Sequence, residues 1–369
     1  MMSKNIEIHP RALYFSCADG IRGLACFIVL ITHAITMFFI NTSPYLAGSG
    51  KIGCWLFFVL SAFLLTTKFK TSGFGSSQLI HYGISRFLRI IPLYFLALIV
   101  YKFLGTTGIS SWTNVEDALL LKQGFSHLWT IPVEFKFYFY LPLIAFILIQ
   151  AAKINPLFST LVFVSFVLIE QFYWPYWLTS INSIEVNYYL TPFTTGVFFA
   201  AIYEQLKPYA TSKNATLIGF VTMIVCLVSL PISKLYFFKI PLDLSLANQF
   251  IYFGLAWALF IVFTLEGKGL YGRILCTSFF RIIGKWSYSI YLFHWLVYMK
   301  YIQYWPNSIL AMCIGLISAI LAGGIVFYLV ERPLESLRQY SKTNPYLNKG
   351  WRLFYLRMRT WRRLSFTIK

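Results

Sequence analysis

Arg22 and His33 are the first pair of residues whose types and spacing could support chemistry. They belong to one apolar segment that follows Asp19 and Gly20. Eleven residues make about three helical turns, so both side chains would lie on one helix face, about 16 Å apart. A neutral imidazole at membrane depth could act as a general base or as a nucleophile. The alternative is a histidine that only hydrogen-bonds to a neighbouring helix.

Arg86 and Arg89 form the second candidate group, in the connection that follows the second apolar run. They are one helical turn apart and would share a face. Paired guanidinium groups suit the recognition of phosphate or carboxylate. Ordinary anchoring at the cytoplasmic surface is the equally simple interpretation.

A carboxylate, Glu134, lies at the predicted entrance of the fourth span, four residues before Tyr138 and shortly after His127. Glu134 and Tyr138 can share a helix face. A carboxylate there could orient a histidine, accept a proton or bind a sugar hydroxyl. It could also simply pair with Lys136 or with an arginine.

The last two spans carry further polar residues. Ser287, Tyr291 and His294 are spaced so that they can share one face of the ninth span. Glu331 precedes Pro333, which ends the last helix. Glu331 could pair with an arginine at the inner surface, in a structural or a functional role.

The composition indicates the elements that must position these residues. The chain has 369 residues, of which 58% are apolar and 12% charged, against about 25% charged in soluble domains. It is therefore predicted to be an all-α, polytopic membrane bundle.

The net charge of +19 indicates binding to anionic lipid and not to nucleic acid, because Lys and Arg flank the apolar runs. The six cysteines show no metal or paired spacing and are predicted to be inert buried thiols.

Ten runs are long enough to span a bilayer, and the first is interpreted as a retained span. The predicted spans are 21–40, 52–69, 87–105, 131–151, 156–174, 189–206, 215–233, 246–265, 286–304 and 308–330. Most of the 31 Lys and Arg fall on one side when both termini are cytoplasmic, which is the arrangement that the positive-inside rule favours. Residues 339–369 form a tail with arginines between aromatic residues. It is predicted to be a basic amphipathic helix on the inner leaflet, or a disordered basic tail.

Taken together, these motifs resemble the bacterial acyltransferase-3 family of membrane-bound O-acyltransferases. The resemblance covers the chain from about 15 to 338, and residues 1–338 are predicted to form the transmembrane domain. Six segments carry it in the family's order: Asp19 to His33, Leu56 to Leu64, Arg86 with Arg89, His127 to Pro142, Ser287 to Trp295, and Glu331 to Pro333.

The resemblance implies ten core helices in a bacterial inner membrane, with acetyl-CoA as the cytoplasmic acyl donor and no metal. The acceptor it implies is a sugar hydroxyl of a surface polysaccharide, such as lipopolysaccharide O-antigen, or of its lipid-linked precursor. Membrane lipids are the other expected partners. The predicted roles are catalysis for His33, Arg22 and Glu134, donor binding for Arg22, Arg86 and Arg89, and substrate binding for His127, Trp129, Tyr138 and His294.

The mechanism expected from these roles places the donor's phosphates against the arginines and its arm along the face from Arg22 to His33. His33 would then deprotonate the acceptor hydroxyl, or accept the acyl group first; the first route avoids a charged acyl-imidazole at the midplane. Glu134, Tyr138 and His127 would line the acceptor side.

Some residues depart from the family's pattern. Ser61-Ala62 replaces a Ser-Gly pair, which predicts looser packing there, and the segment Tyr188 to Ala200 lacks an upstream arginine. A stand-alone form without an esterase-like extension is expected.

Two other classes of protein fit parts of the sequence. A transporter or flippase would also carry intramembrane His, Arg and Glu, although no inverted repeat is visible. A scaffold or sensor could use the basic tail as its interface, which makes it the third class after the enzyme and the transporter.

Overall fold

The computed structural model describes residues 15, 17–242 and 250–336, and every regular element within them is helical. The predicted all-α class is therefore confirmed. The basic tail predicted over 339–369 lies outside the described residues.

Fourteen α-helices make up this described part. The first seven are α1 (Ala18–Phe38), α2 (Gly50–Ser72), α3 (Ser76–Leu104), α4 (Trp112–Leu119), α5 (Thr130–Ile154), α6 (Pro156–Tyr173) and α7 (Leu190–Ala201). The others are α8 (Tyr203–Leu206), α9 (Ser212–Ser229), α10 (Pro231–Phe238), α11 (Phe250–Thr264), α12 (Gly269–Leu275), α13 (Ser278–Tyr304) and α14 (Ile309–Val326). A π-helical turn, Phe327–Glu331, continues α14.

Seven of the described helical segments are long and apolar enough to cross a membrane. The pair α11 and α12, bent by 82° at its break, would make an eighth. The chain is thus a polytopic membrane bundle. α13 has 27 residues but is too polar to be counted by the same criterion. The count of ten spans and the side of the termini stay predictions.

Several predicted boundaries were wrong, and two of them bear on the packing of the bundle. The predicted sixth span, 189–206, is divided into the twelve-residue helix α7, whose residues are all buried, and the four-residue helix α8. Lys70 of α2 donates to the carbonyl oxygens of Ala200 and Ala201, at 3.1 and 3.0 Å, and so satisfies the end of α7 inside the protein. The third span begins eleven residues earlier than predicted, at Ser76, because polar residues continue the helix before the apolar run starts.

Glycines bring α1 and α13 into backbone contact. A methyl group on Gly284 would strike the carbonyl oxygen of Asp19, and one on Gly23 would strike that of Phe280. Small residues allow this approach in membrane helices, where packing replaces the hydrophobic effect. A similar close approach occurs at Ala62, where looser packing was predicted. A Cβ on Gly196 of α7 would lie only 3.0 Å from the Ala62 methyl group, so the two helices pack closely there.

We expect Gly284→Ala to lower the thermal unfolding midpoint of the purified protein, because overpacking costs about 1–3 kcal/mol. The methyl group has only backbone atoms to displace. Gly83→Ala in α3 is the matched control, since no atom lies within 4 Å of the added Cβ. It should leave the midpoint unchanged or raise it. Equal midpoints for the two variants would contradict the close approach.

One prediction about the cysteines was wrong. Cys17 and Cys276 form a disulfide, although four others, Cys26, Cys54, Cys226 and Cys313, are free thiols. Cys17 precedes α1 and Cys276 follows α12, so two helix ends meet at the same edge of the bundle. Their separation of 259 residues in sequence hides this pairing from any spacing pattern.

Candidate active site

Three neighbouring cavities follow the length of α1. The entrance cavity lies at the beginning of α1 and has charged walls. It is lined by Asp19, Arg22, Arg89, Gly284, Lys285, Phe327, Tyr328, Glu331, Arg332, Glu335 and Ser336. Its volume of about 1170 Å³, open mouth included, is enough for a large polar ligand.

The arginine cavity is next, and it shares Arg22 and Arg89 with the entrance cavity. It measures about 930 Å³ with its mouth. Its polar lining residues are Arg22, Cys54, Ser61, Arg86, Arg89, Thr130, Glu134, Tyr138, Ser287, Tyr288 and Tyr291. All three predicted donor-binding arginines thus line one cavity.

The arginine cavity has three cationic groups and one carboxylate among its lining residues. Arg22 pairs with Asp19 at 2.8 Å. Arg86 lies over the ring of Tyr138, with its guanidinium carbon 5.7 Å from the ring centroid. The excess of positive charge suits an anionic ligand, and planar guanidinium groups suit phosphate.

Glu134 accepts two hydrogen bonds through the same oxygen. Ser61 donates at 2.6 Å and Tyr138 donates at 2.7 Å. The spacing of four residues therefore places Glu134 and Tyr138 side by side, as predicted. Both line the arginine cavity, however, and not the cavity that contains His33. Glu134 and Tyr138 therefore line a different cavity from His127, and their expected role at the acceptor stays a prediction.

Tyr291 and Cys54 separate the arginine cavity from the third one, since both residues line both cavities. The Tyr291 hydroxyl is held on two sides. It accepts a hydrogen bond from Thr130 at 2.8 Å and donates to the carbonyl oxygen of His127. A ligand that reached from one cavity to the other would pass this hydroxyl.

The histidine cavity lies near the other end of α1, and its volume is about 990 Å³ with its mouth. Its polar or aromatic lining residues are Thr32, His33, Thr36, Ser43, Ser49, Lys51, Cys54, Ser126, His127, Trp129, Asn182, Tyr291 and Trp295. It contains the predicted catalytic His33 and two of the predicted substrate-binding residues, His127 and Trp129.

A chain of hydrogen bonds determines the proton positions on His33. His294 Nδ1 lies 2.8 Å from the carbonyl oxygen of Tyr291. A carbonyl only accepts, so His294 Nδ1 carries a proton and, in the neutral ring, its Nε2 is an acceptor. His33 Nδ1 lies 2.9 Å from that Nε2 and must donate to it. The neutral His33 ring therefore presents an unprotonated Nε2.

The free nitrogen of His33 lies beside the start of α2. A Cβ built on Gly50 would be only 3.0 Å from His33 Nε2 and 3.1 Å from Thr32 Oγ1. Within the described residues no hydrogen bond involves His33 Nε2. Glycine at position 50 thus leaves this basic nitrogen accessible at the cavity wall.

His294 is fully buried behind His33 and lines none of the three cavities. The two imidazole rings are nearly parallel and their centroids are 5.2 Å apart, as expected for rings that are joined edge to edge by this hydrogen bond. His294 thus holds the ring of His33 and makes no contact with the cavity space.

Aromatic faces form much of the histidine cavity. His127 stacks on Trp295 with centroids 5.2 Å apart, and its Nδ1 has no hydrogen-bond partner. Its Nε2 lies 3.3 Å from the hydroxyl of Tyr101. Trp129 also lines this space. Flat aromatic faces beside unpaired polar atoms are suited to a polar organic ligand such as a sugar.

The structure also places residues at these cavities to which the sequence analysis gave no role. Thr130 holds Tyr291, Ser61 binds Glu134, and Cys54 lines two cavities. Lys51 could have been noticed from the sequence, as a cation that follows Gly50 at the start of an apolar run. In the described part of the chain, no group of three or more His, Cys, Asp and Glu is arranged to hold a metal ion.

Comparison with known proteins shows the family of this chain. The chain matches a family model described as "Acyltransferase domain" over residues 15–330. It is similar to the O-acetyltransferase OatA of Staphylococcus aureus strains NCTC 8325, COL and MRSA252. Each is 23% identical over 366 residues, which cover 90% of this chain and 59% of the relative. The chain thus spans 59% of the length of these curated relatives, and no solved structure matches it. Because the family match covers most of the 369 residues, the chain belongs to the acyltransferase-3 family and contains its acyltransferase domain.

Proposed function

We propose that this protein is an O-acetyltransferase of a bacterial inner membrane. It moves an acetyl group from cytoplasmic acetyl-CoA to a hydroxyl group of a cell-surface polysaccharide sugar, or of a lipid-linked precursor. One observation carries the proposal. The unprotonated Nε2 of His33 faces a cavity suited to a sugar, and the three arginines line an adjacent cavity.

The arginines receive the donor in this proposal. Arg22 and Arg89 line both the entrance cavity and the arginine cavity, so they can bind phosphates at the cytoplasmic end. Arg86 and Glu134 lie deeper, where the donor's arm would pass. The acyl end then has to reach the level of Tyr291 and Cys54 to meet the histidine cavity.

His33 supplies the base. Its Nε2 takes the proton of the acceptor hydroxyl while the hydroxyl oxygen forms a bond to the thioester carbonyl carbon. The carbon–sulfur bond breaks, and the leaving thiolate takes up the proton that His33 Nε2 accepted, so that the products are an O-acetyl ester and free CoA, and His33 is neutral again. The imidazolium that forms still donates from Nδ1 to His294, so no hydrogen bond is lost when His33 is charged.

His294 is assigned a positioning role in place of the predicted substrate contact. We expect His294→Phe to lower kcat by at least about tenfold, which is about 1.4 kcal/mol, because His33 Nδ1 loses its acceptor. The donor KM should stay unchanged, since the arginines are not touched. His294→Gln restores an acceptor and should recover part of kcat. A change in donor KM without a change in kcat would contradict this role.

Purified protein in lipid nanodiscs, given labelled acetyl-CoA and bacterial surface glycan, tests the proposed function. Label should appear in base-labile esters on the glycan and should be absent with His33→Ala. A transporter would leave the glycan unlabelled, as would a scaffold. Ester formation that is unaffected by His33→Ala would overturn the proposal.

A further inference from the structure

Lys51 is a buried cation in the histidine cavity that the reaction just described does not use. It lies in the first turn of α2, and only 7% of its surface is exposed. Its Nζ has no hydrogen-bond partner and lies 5.0 Å from the centroid of the Trp129 ring. Lys51 and Trp129 both line the cavity.

Such a position is costly for a lysine. A buried ammonium group is normally paired with an anion or fully hydrogen-bonded. Among the described residues that line the histidine cavity there is no Asp or Glu. The Trp129 ring compensates the charge only in part. The cavity therefore lacks one negative charge, and a bound ligand can supply it.

Lys51 lines the same cavity as His33. Gly50, the residue before Lys51, approaches His33 Nε2. Two further polar atoms without partners belong to the same lining, Ser49 Oγ and His127 Nδ1. Unpaired donors and acceptors around one cavity indicate a polar ligand that satisfies them when it binds.

We propose that the acceptor is anionic, and that Lys51 binds a carboxylate or phosphate group of the acceptor while His33 takes the proton from a nearby hydroxyl. This inference rests on the proposed function, whose acceptor it narrows to acidic sugars or sugar phosphates. Lys51 thus determines specificity, and Trp129 and Trp295 provide the faces on which the sugar ring lies.

Matched acceptors test the inference with the full-length protein in nanodiscs. Methyl glucoside is the neutral acceptor, methyl glucuronide carries the carboxylate, and glucose 1-phosphate carries the phosphate. Acetyl transfer is measured as kcat/KM for each, and binding is measured by calorimetry without donor. Wild type should favour one or both charged acceptors by at least tenfold, and the preferred one identifies the anion.

Lys51→Met should reduce this preference to about one, whereas Lys51→Arg should retain most of it. Lys102→Met is the control, because Lys102 is another lysine near aromatic rings, Phe103 and Trp112, but lines none of the three cavities. It should behave as wild type. Unfolding midpoints of all variants show whether the bundle is intact.

Equal kcat/KM for neutral and charged acceptors in wild type would overturn the inference, as would an unchanged preference in Lys51→Met. If none of the three compounds is acetylated, binding decides the inference, and the labelling of surface glycan with and without His33→Ala decides the proposed function separately. Binding of a charged glycoside that depends on Lys51 then supports it. Failure of both charged glycosides to bind overturns it.

Discussion

Replacing His33 by glutamine is expected to lower kcat by about 10²–10⁴-fold, the usual contribution of a general base. Glutamine keeps a polar side chain of similar reach but has no basic nitrogen. Steady-state rates of acetyl-CoA consumption in the presence of glycan measure the effect. The donor KM should change little, because His33 lines the histidine cavity and the arginines line the other two.

His81→Gln is the matched control for this variant. His81 is on α3 and lines none of the three cavities. It should retain the wild-type rate. If His33→Gln and His81→Gln were equally active, His33 would have no role as a base.

Replacing Arg89 by alanine is expected to raise the donor KM by about 10–150-fold, because hydrogen bonds to charged groups are worth about 1.5–3 kcal/mol. Arg89 lines both the entrance cavity and the arginine cavity, so it borders the whole route that we assign to the donor. The value of kcat at saturating donor should be nearly retained, since the base is not touched.

Arg89→Lys should recover part of the donor affinity, because the charge remains but the planar fork is lost. Arg273→Ala is the control, since Arg273 is an exposed arginine of α12 outside the three cavities. A wild-type donor KM in Arg89→Ala would contradict the proposal that the donor binds in the arginine cavity.

Local spacing predicted part of the candidate site. Arg22 and His33 share one unbroken helix, α1, and Glu134 and Tyr138 meet across one turn of α5. These relations depend only on helical geometry. A charged or polar residue inside an apolar run was therefore enough to identify these pairs from the sequence.

Contacts between distant segments could not be predicted in this way. His33 and His294 are 261 residues apart, and only the close crossing of α1 and α13 brings their rings together. The disulfide between Cys17 and Cys276 has the same origin. The expected mechanism has Glu134 on the acceptor side, but the way α2 packs on α5 directs its carboxylate to Ser61 in the arginine cavity.

Lys51 was not identified as a site residue from the sequence. It directly precedes the second apolar run, where a lysine is explained by membrane anchoring alone. The role that we propose for it depends on two facts that the sequence does not contain: its side chain is buried at the wall of the histidine cavity, and its Nζ has no hydrogen-bond partner.

The central claim is that the acetyl group passes from the arginine cavity to the histidine cavity, and so from one side of the membrane to the other. Inside-out membrane vesicles test it directly. Labelled acetyl-CoA is added outside, where the cytoplasmic face is exposed, and acceptor glycan is either enclosed or added outside with the donor. Our account predicts ester label on the enclosed glycan, none on the external glycan, and none on either with His33→Gln. Label only on glycan that shares the donor's side would contradict it.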